Sequence, residues 1–376
     1  MEVLIIPDSF KGSLSAIEVA KIMEQCVQTL FPTSHCHSIP FSDGGEGALS
    51  VLAFHNKGKL LKCSATDALK KPIEAPYLQF DDQKSVWIEL SQTAGLTQLD
   101  QQTLNPLHTS TWGTGKMIAH VLDQGCTQIY LGIGGSATQD LGTGIISALG
   151  GRFLDEEGQE LPAVGGELYR LHTIDLKHLN SKTLECEWII ACDVQNPLLG
   201  KKGSAHTYAK QKGGSPEDID RLEKGALRFA EVVQKQFGVD ISTLKGGGAA
   251  GGVSAGLYAL LGARLENGFD LLAQKTELEA TVQKMDLILT GEGSFDRQSL
   301  FGKLPIKVAS LTKKKQTPTL IVVGKAKLKT LNGFPHCKII DCTPPGMTRK
   351  DALQNARYHL EYALKKELLI LKNQKI

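Results

Sequence analysis

Apolar residues follow two rhythms along this chain. Val3 to Pro7 is an unbroken apolar run ending in Pro7-Asp8-Ser9-Phe10-Lys11-Gly12-Ser13, which predicts a buried strand feeding a loop. Ser15 then reads as a helix N-cap, and Ala20, Ile22, Met23, Val27 and Leu30 keep helical spacing to about residue 30. A second strand is predicted over 35–40, followed by the loop 41–47 and a helix to about His55. From Lys59 to about Leu96 the rhythm changes. Short strand-like runs at 60–65, 75–80 and 85–90 are split by Asp, Gln and Lys turns, an antiparallel texture. Further on, the pattern predicts a helix over 109–122, a strand over 128–132, a helix containing 145–149, and a hairpin over 152–161 turning at Glu156-Glu157-Gly158. A strand over 187–191 and a long helix over 216–237 follow, then the dense glycine cluster Gly246–Gly252. The end returns to the opening rhythm, with strands over 285–290, 319–323 and 338–342 and helices over 303–313 and 350–372.

Strands that alternate with helices predict a parallel sheet, so the fold class is α/β. Because that texture occupies both ends, two dissimilar α/β domains are expected. One is an open domain built from both termini, residues 1–58 and 272–376. The other is an inserted mixed α/β domain, residues 59–271. A contiguous two-domain split is the alternative. The length of 376 residues agrees with two domains at roughly 150 residues each. Lys and Arg total 42 against 40 Asp and Glu. That balance provides no field to hold nucleic acid or an anionic membrane, so neither is an expected partner. The eight cysteines form no C-x-x-C pair and read as free thiols. The N-terminal apolar run is too short for a signal peptide and lacks a basic flank, and no apolar stretch approaches a membrane span, so a cytoplasmic chain is expected.

Apolar strands repeatedly run into loops that combine Gly, Ser or Thr with a carboxylate: 7–13, 42–46, 132–140, 290–296 and, without glycine, 192–196. In open α/β sheets the ligand crevice lies beyond the carboxyl ends of the strands. Glycine lets backbone amides approach phosphate oxygens, and carboxylates there can carry Mg2+ or accept a proton. Each loop taken alone could be only a turn. No Walker P-loop, no H-R-D kinase loop and no G-x-S-x-G elbow occurs. Gly132-Ile133-Gly134-Gly135-Ser136-Ala137 fits a loose dinucleotide fingerprint with Asp155 further on, but the predicted hairpin at 152–161 is wrong for a β-α-β unit.

The segments PDSFKGSLSA (7–16), FSDGGEG (41–47), ELSQTAGL (89–96), GTGKMIAH (113–120), LGIGGSATQD (131–140), CDVQNPLLGKKGSAHTYAKQKG (192–213), GGGAAGG (246–252) and DLILTGEGSFDRQSLFGKLP (286–305) resemble the bacterial class I glycerate kinases, glycerate 2-kinase type, from about residue 3 to about 345. The family usually has Asn where this chain has Gln139, and Gly where it has Leu141. The resemblance implies ATP- and Mg2+-dependent phosphorylation of D-glycerate in organic acid breakdown, giving 2-phosphoglycerate in preference to 3-phosphoglycerate. It also implies a flavodoxin-like domain built from both chain ends, a second dissimilar α/β domain, and an active site in the interdomain cleft. A homodimer is admitted. Two other classes are kept beside it: a dinucleotide-dependent oxidoreductase of a small hydroxy acid, and a non-catalytic small-molecule sensor.

Phosphoryl transfer needs positioning and charge neutralisation more than covalent help. Asp8 and Asp193, each directly after a buried strand, are the candidates for orienting the attacking hydroxyl, with Lys11 as the catalytic cation. Glu46, Glu292 and Asp296, with Asp43 nearby, offer oxygen ligands for Mg2+. Ser9, Ser42, Asp43, Arg297 and Lys303 are assigned to substrate, Arg297 being able to grip a carboxylate with two donors. Gly134, Gly135, Ser136, Asn196, Gly248, Gly251 and Gly252 are assigned to the nucleotide. Asp43 as a helix cap, Asn196-Pro197 as a turn, Lys11 as a solvated loop residue and Gly246–Gly252 as a hinge are the plain alternatives.

Overall fold

The computed structural model describes residues 1–42, 47–55, 57–297, 299–301 and 303–374. Its strands are β1 (Glu2–Pro7), β2 (His35–Ser38), β3 (Lys59–Thr66), β4 (Pro72–Gln79), β5 (Ser85–Glu89), β6 (Gln128–Gly132), β7 (Arg152–Leu154), β8 (Thr173–Asp175), β9 (Glu187–Ala191), β10 (Arg264–Glu266), β11 (Leu287–Phe295), β12 (Thr319–Ala326) and β13 (Cys337–Asp341). The chain divides into two compact units, residues 1–43 with 269–376, and residues 44–268. The class is α/β, with two unlike sheets.

The unit made from the chain ends carries a wholly parallel sheet in the order β13-β12-β11-β1-β2. Counted within that unit alone, the order is 2-1-3-4-5, the flavodoxin arrangement. Its strands are apolar on both faces because both are covered. Leu320 and Val322 join one cluster with Val19, Met23 and Val27 of the helix Ala16–Leu30 and with Leu360, Leu364 and Leu368 of the helix Ala356–Asn373. Ile321 and Val323, one step out of phase, join Phe295 and Ala309 on the other face. Ser15 and Glu18 form a capping box that starts the first helix, worth about 0.5–2 kcal/mol.

The unit of residues 44–268 has a mixed sheet in the order β10-β9-β6-β5-β4-β3. β10, β9, β6 and β5 are parallel, while β4 and β3 add an antiparallel edge. The helix Pro216–Phe237 starts from a Ser215–Asp218 capping box with Pro216 in the first turn, and buries Leu222, Ala226, Phe229 and Val233.

Several elements differ from the sequence expectation. The first boundary between units falls at 43/44, where the sequence reading put 58/59, because the helix Ala48–Phe54 lies against β3–β5 and Leu49 N donates to Glu89 Oε1 at 2.7 Å. The second falls at 268/269 instead of 271/272. Residues 152–161 do turn back, with Asp155 N donating to Gln159 O, but β7 makes its ladder with β8. β11 does not stop at Thr290. It stays paired with β12 as far as Phe295. The C-terminal helix breaks at Asn355 into Arg349–Gln354 and Ala356–Asn373. All eight cysteines are free thiols. Among the described residues, no helix is long and apolar enough to cross a membrane.

Candidate functional site

In the 2-1-3-4-5 order the chain reverses direction across the sheet between β1 and β11, and ligands of such sheets bind beyond the carboxyl ends of the strands at that switch. Three chain segments meet there. Asp8 follows β1, and its backbone N–H donates to Gly291 O at 2.9 Å. The segment after β2 continues alongside, with Phe41 N donating to Pro7 O at 2.9 Å, which delivers buried Ser42. β11 brings Thr290 and Glu292, two residues apart and so on one face. A Cβ on Gly293 would stand 3.1 Å from Lys11 N, so the loop 8–12 passes directly over this strand.

Glu292 is 5% exposed. Its Oε2 accepts from Lys303 Nζ at 2.9 Å, while its Oε1 is buried and has no partner among the described residues. The hydroxyl of Thr290 is likewise buried and unpartnered. A buried acceptor without a donor costs about 1–3 kcal/mol, so an orphaned carboxylate oxygen at a switch point argues for a ligand. Asp8 Oδ1 accepts from Ser9 N at 2.6 Å. Lys11 and Arg297 are exposed. Asp296 Oδ2 accepts a hydrogen bond from Lys327 Nζ at 3.1 Å. Asp43 and Glu46 lie outside the described residues.

A second set of groups stands at the carboxyl ends of β5, β6 and β9. The loop after β6 turns through Gly135 at φ +73°. Leu96 N donates to Gly135 O and Ala137 N to Ala94 O, which pins the loop on both sides. Among the described residues nothing accepts from the backbone N–H groups of Gly134, Gly135 or Ser136. Successive unpaired amides around a left-handed glycine make an anion-binding concavity, and Gly134 and Gly135 are half-exposed. Gln139 binds Ser204 twice, through its Nε2 to the carbonyl and its Oε1 from the hydroxyl. Leu141 sits at φ +54°, buried, in a left-handed conformation that costs about 1–2 kcal/mol in a residue with a Cβ.

The other nucleotide candidates also make contacts within the fold. Gly248 N donates to Asn196 O at 3.0 Å. Gly251 lies against Thr138 and Gly252 against Leu141, where a Cβ would meet its neighbour at 2.0 and 2.8 Å. The Asn196 amide donates to Lys202 O and accepts from Tyr208 Oη. Asp193 is exposed and accepts from Asn267 Nδ2 and Gly268 N. Asp155, the acid that a dinucleotide site would need, is buried against Arg170 at 2.7 Å.

Three charged residues of this loop region escape a reading by motif. Glu89, at the end of β5, is fully buried and accepts from Leu49 N, Gln92 Nε2 and Ser91 Oγ; burial raises its carboxyl above the ordinary value against those hydrogen bonds. Asp140 is also fully buried. Burial raises it, opposed by donors at Thr111 N, Thr111 Oγ1, Gly142 N and Gly144 N. Lys212 is 1% exposed and pushed down to about 7 by burial, with Asp140 pulling the other way. All three occur within segments that carry the family resemblance, but a sequence does not show that a charge is buried.

No group of three or more His, Cys, Asp or Glu among the described residues is arranged to hold a metal ion. Mg2+ in kinases needs only one or two carboxylates besides phosphate and water. Glu292 Oε1, without a partner among the described residues, fits that demand, and Asp296 has one oxygen paired with the exposed Lys327.

The chain matches the glycerate kinase family over residues 3–371. It is 36% identical over 363 residues to a glycerate kinase of Bacillus subtilis (strain 168), covering 96% of this chain and 95% of that protein. It is 38% identical over 324 residues to glycerate 2-kinase of Escherichia coli (strain K12), covering 86% and 85%. A crystal structure from Salmonella typhimurium LT2, of a provisionally assigned glycerate kinase 2, superposes with a TM-score of 0.83 at 37% identity over 100% of both chains.

Proposed function

We propose a mechanism on one premise: this chain belongs to the glycerate kinase family and is a phosphotransferase. The reaction is transfer of the terminal phosphoryl group of ATP to a hydroxyl of D-glycerate, with 2-phosphoglycerate as product. The observation that carries the nucleotide half is the run of unpaired backbone amides at Gly134–Ser136, which suits phosphate oxygens.

The groups around Asp8 suit the acceptor. Lys11 and Arg297 supply cations for the glycerate carboxylate, and Ser9 and Ser42 supply hydroxyls. Asp8 accepts the proton of the attacking hydroxyl and fixes its direction, the part a carboxylate plays in kinases. Lys303 neutralises one oxygen of Glu292, and the other has no partner among the described residues. Glu292 would hold Mg2+ through that oxygen, and the ion would neutralise charge on the phosphates. Gly248, Gly251, Gly252 and Asn196 act by shaping the wall behind the 134–140 loop. Asp193 holds the backbone at 267–268.

The test is an assay with D-glycerate, ATP and Mg2+, with the product identified by NMR. The expected result is glycerate-dependent ADP release and a phosphorus signal coupled to the C2 proton. Phosphate on C3 refutes the regiochemistry, and ADP release indifferent to glycerate refutes the acceptor.

A further inference from the structure

Lys212 is a lysine in an unusual place. It ends the short turn Lys210–Lys212, between the helix Ser204–Tyr208 and the helix Pro216–Phe237, and its side chain is almost wholly buried. Its Nζ donates to Ser136 Oγ at 2.9 Å and to Thr138 O at 2.6 Å. Both acceptors belong to the loop after β6. Burying an amine is costly. A lysine placed so deep must give something an apolar residue of the same length could not.

What it gives is a fixed backbone. The run Gly134–Ser136 contains two glycines and a left-handed turn, so it has little stiffness of its own. Leu96 N and Ala94 O hold its outer edge. Lys212 holds it from beneath at Ser136 and Thr138, on the chain immediately following the two half-exposed glycines.

We propose that Lys212 is a positioning residue for the nucleotide: by binding Ser136 and Thr138 it holds the unpaired amides of Gly134–Ser136 in the curvature that receives a phosphate group. The inference rests on the nucleotide reading given above. In this reading Lys212 acts through the loop that it binds.

The experiment compares wild type, Lys212→Met and Lys212→Arg in the full chain. Methionine keeps the apolar length and removes the two hydrogen bonds. Two readouts are taken: steady-state constants for ATP and D-glycerate, and the rise in Tm caused by ATP with Mg2+. In Lys212→Met the KM for ATP is expected to rise by about tenfold or more, the scale of a slightly misplaced binding group. The KM for glycerate should stay within about twofold by the same reasoning, and the ATP-induced rise in Tm at a fixed ATP concentration should shrink. Lys212→Arg should recover part of both. A Met variant that keeps the wild-type KM for ATP and the wild-type Tm shift overturns the proposal, as does an equal loss for both substrates. Should Lys212→Met not fold, Ser136→Ala removes one of the same bonds from the other side and is expected to move the KM for ATP alone; no change there overturns the proposal too. If wild type gains Tm with ATP but turns over no glycerate, the acceptor reading has failed while the Lys212 comparison still decides by Tm.

Discussion

Asp8 and Asp193 look alike in the sequence, each an acid directly after a buried strand, and the structure separates them. Asp8 stands at the switch point beside Gly291, next to the strand that carries the orphaned oxygen of Glu292. Asp193 accepts from Asn267 and Gly268 through one oxygen, Oδ1. Asp8→Asn should therefore lower kcat by about 100-fold or more, the range for a positioned acid–base group. Asp193→Asn should act mainly on Tm. Equal kcat losses in the two variants would contradict this division. Lys212 offers a second test at this scale. Its folded value is near 7 against an ordinary 10.5, so between those values the unfolded chain binds a proton that the folded chain has released. Unfolding then becomes harder as pH rises through that window, by up to about 1.4 kcal/mol per pH unit. Wild type should gain Tm relative to Lys212→Met between about pH 7 and 9. A flat difference across that range refutes the shift.

Elements whose identity depends on local pattern were legible beforehand, and those set by distant partners were not. The helix Ala16–Leu30 follows from Ser15 and the apolar spacing, and β6 and β9 follow from short apolar runs. The extension of β11 through Gly291-Glu292-Gly293 was not legible, since those residues spell a loop until β12 pairs with them. The hairpin at 152–161 is present, with Leu154 bridged to Glu160, but the longer ladder of β7 with 173–175 was not legible from 152–161 alone. The loops that carry the candidate site could be found from glycine and acid at strand ends. The tasks within them could not, because burial decides them: Gly251 packs so closely on Thr138 that no side chain fits there, which the sequence does not show. It has φ +73°, and a Cβ there would fall 2.0 Å from Thr138 O. Gly251→Ala should lose about 2–4 kcal/mol through backbone strain and overlap, read as a lower denaturation midpoint. A loss below about 0.5 kcal/mol, typical of a neutral surface change, would place that contact elsewhere.

At the scale of the molecule, each unit has its own apolar core. Residues such as Val86, Ile129, Ile190 and Phe229 form one, and Val3, Ile5, Leu289 and Val322 belong to another. Each core is closed within its own stretch of chain, so residues 44–268 expressed alone should fold and melt in a single cooperative transition. A fragment that gives no near-UV signal would show that this core needs the rest of the chain. The flavodoxin-ordered sheet is in a different position, because its third strand, β11, begins at Leu287, about 280 residues after β1 ends at Pro7. At about 5–20 residues per second a ribosome needs roughly fifteen seconds to a minute to cover that distance. Throughout that time Val3–Ile6, wholly shielded in the finished protein, have only β2 and the first helix for cover. The newborn amino-terminal segment is therefore the part of this chain that most needs a holding chaperone during translation.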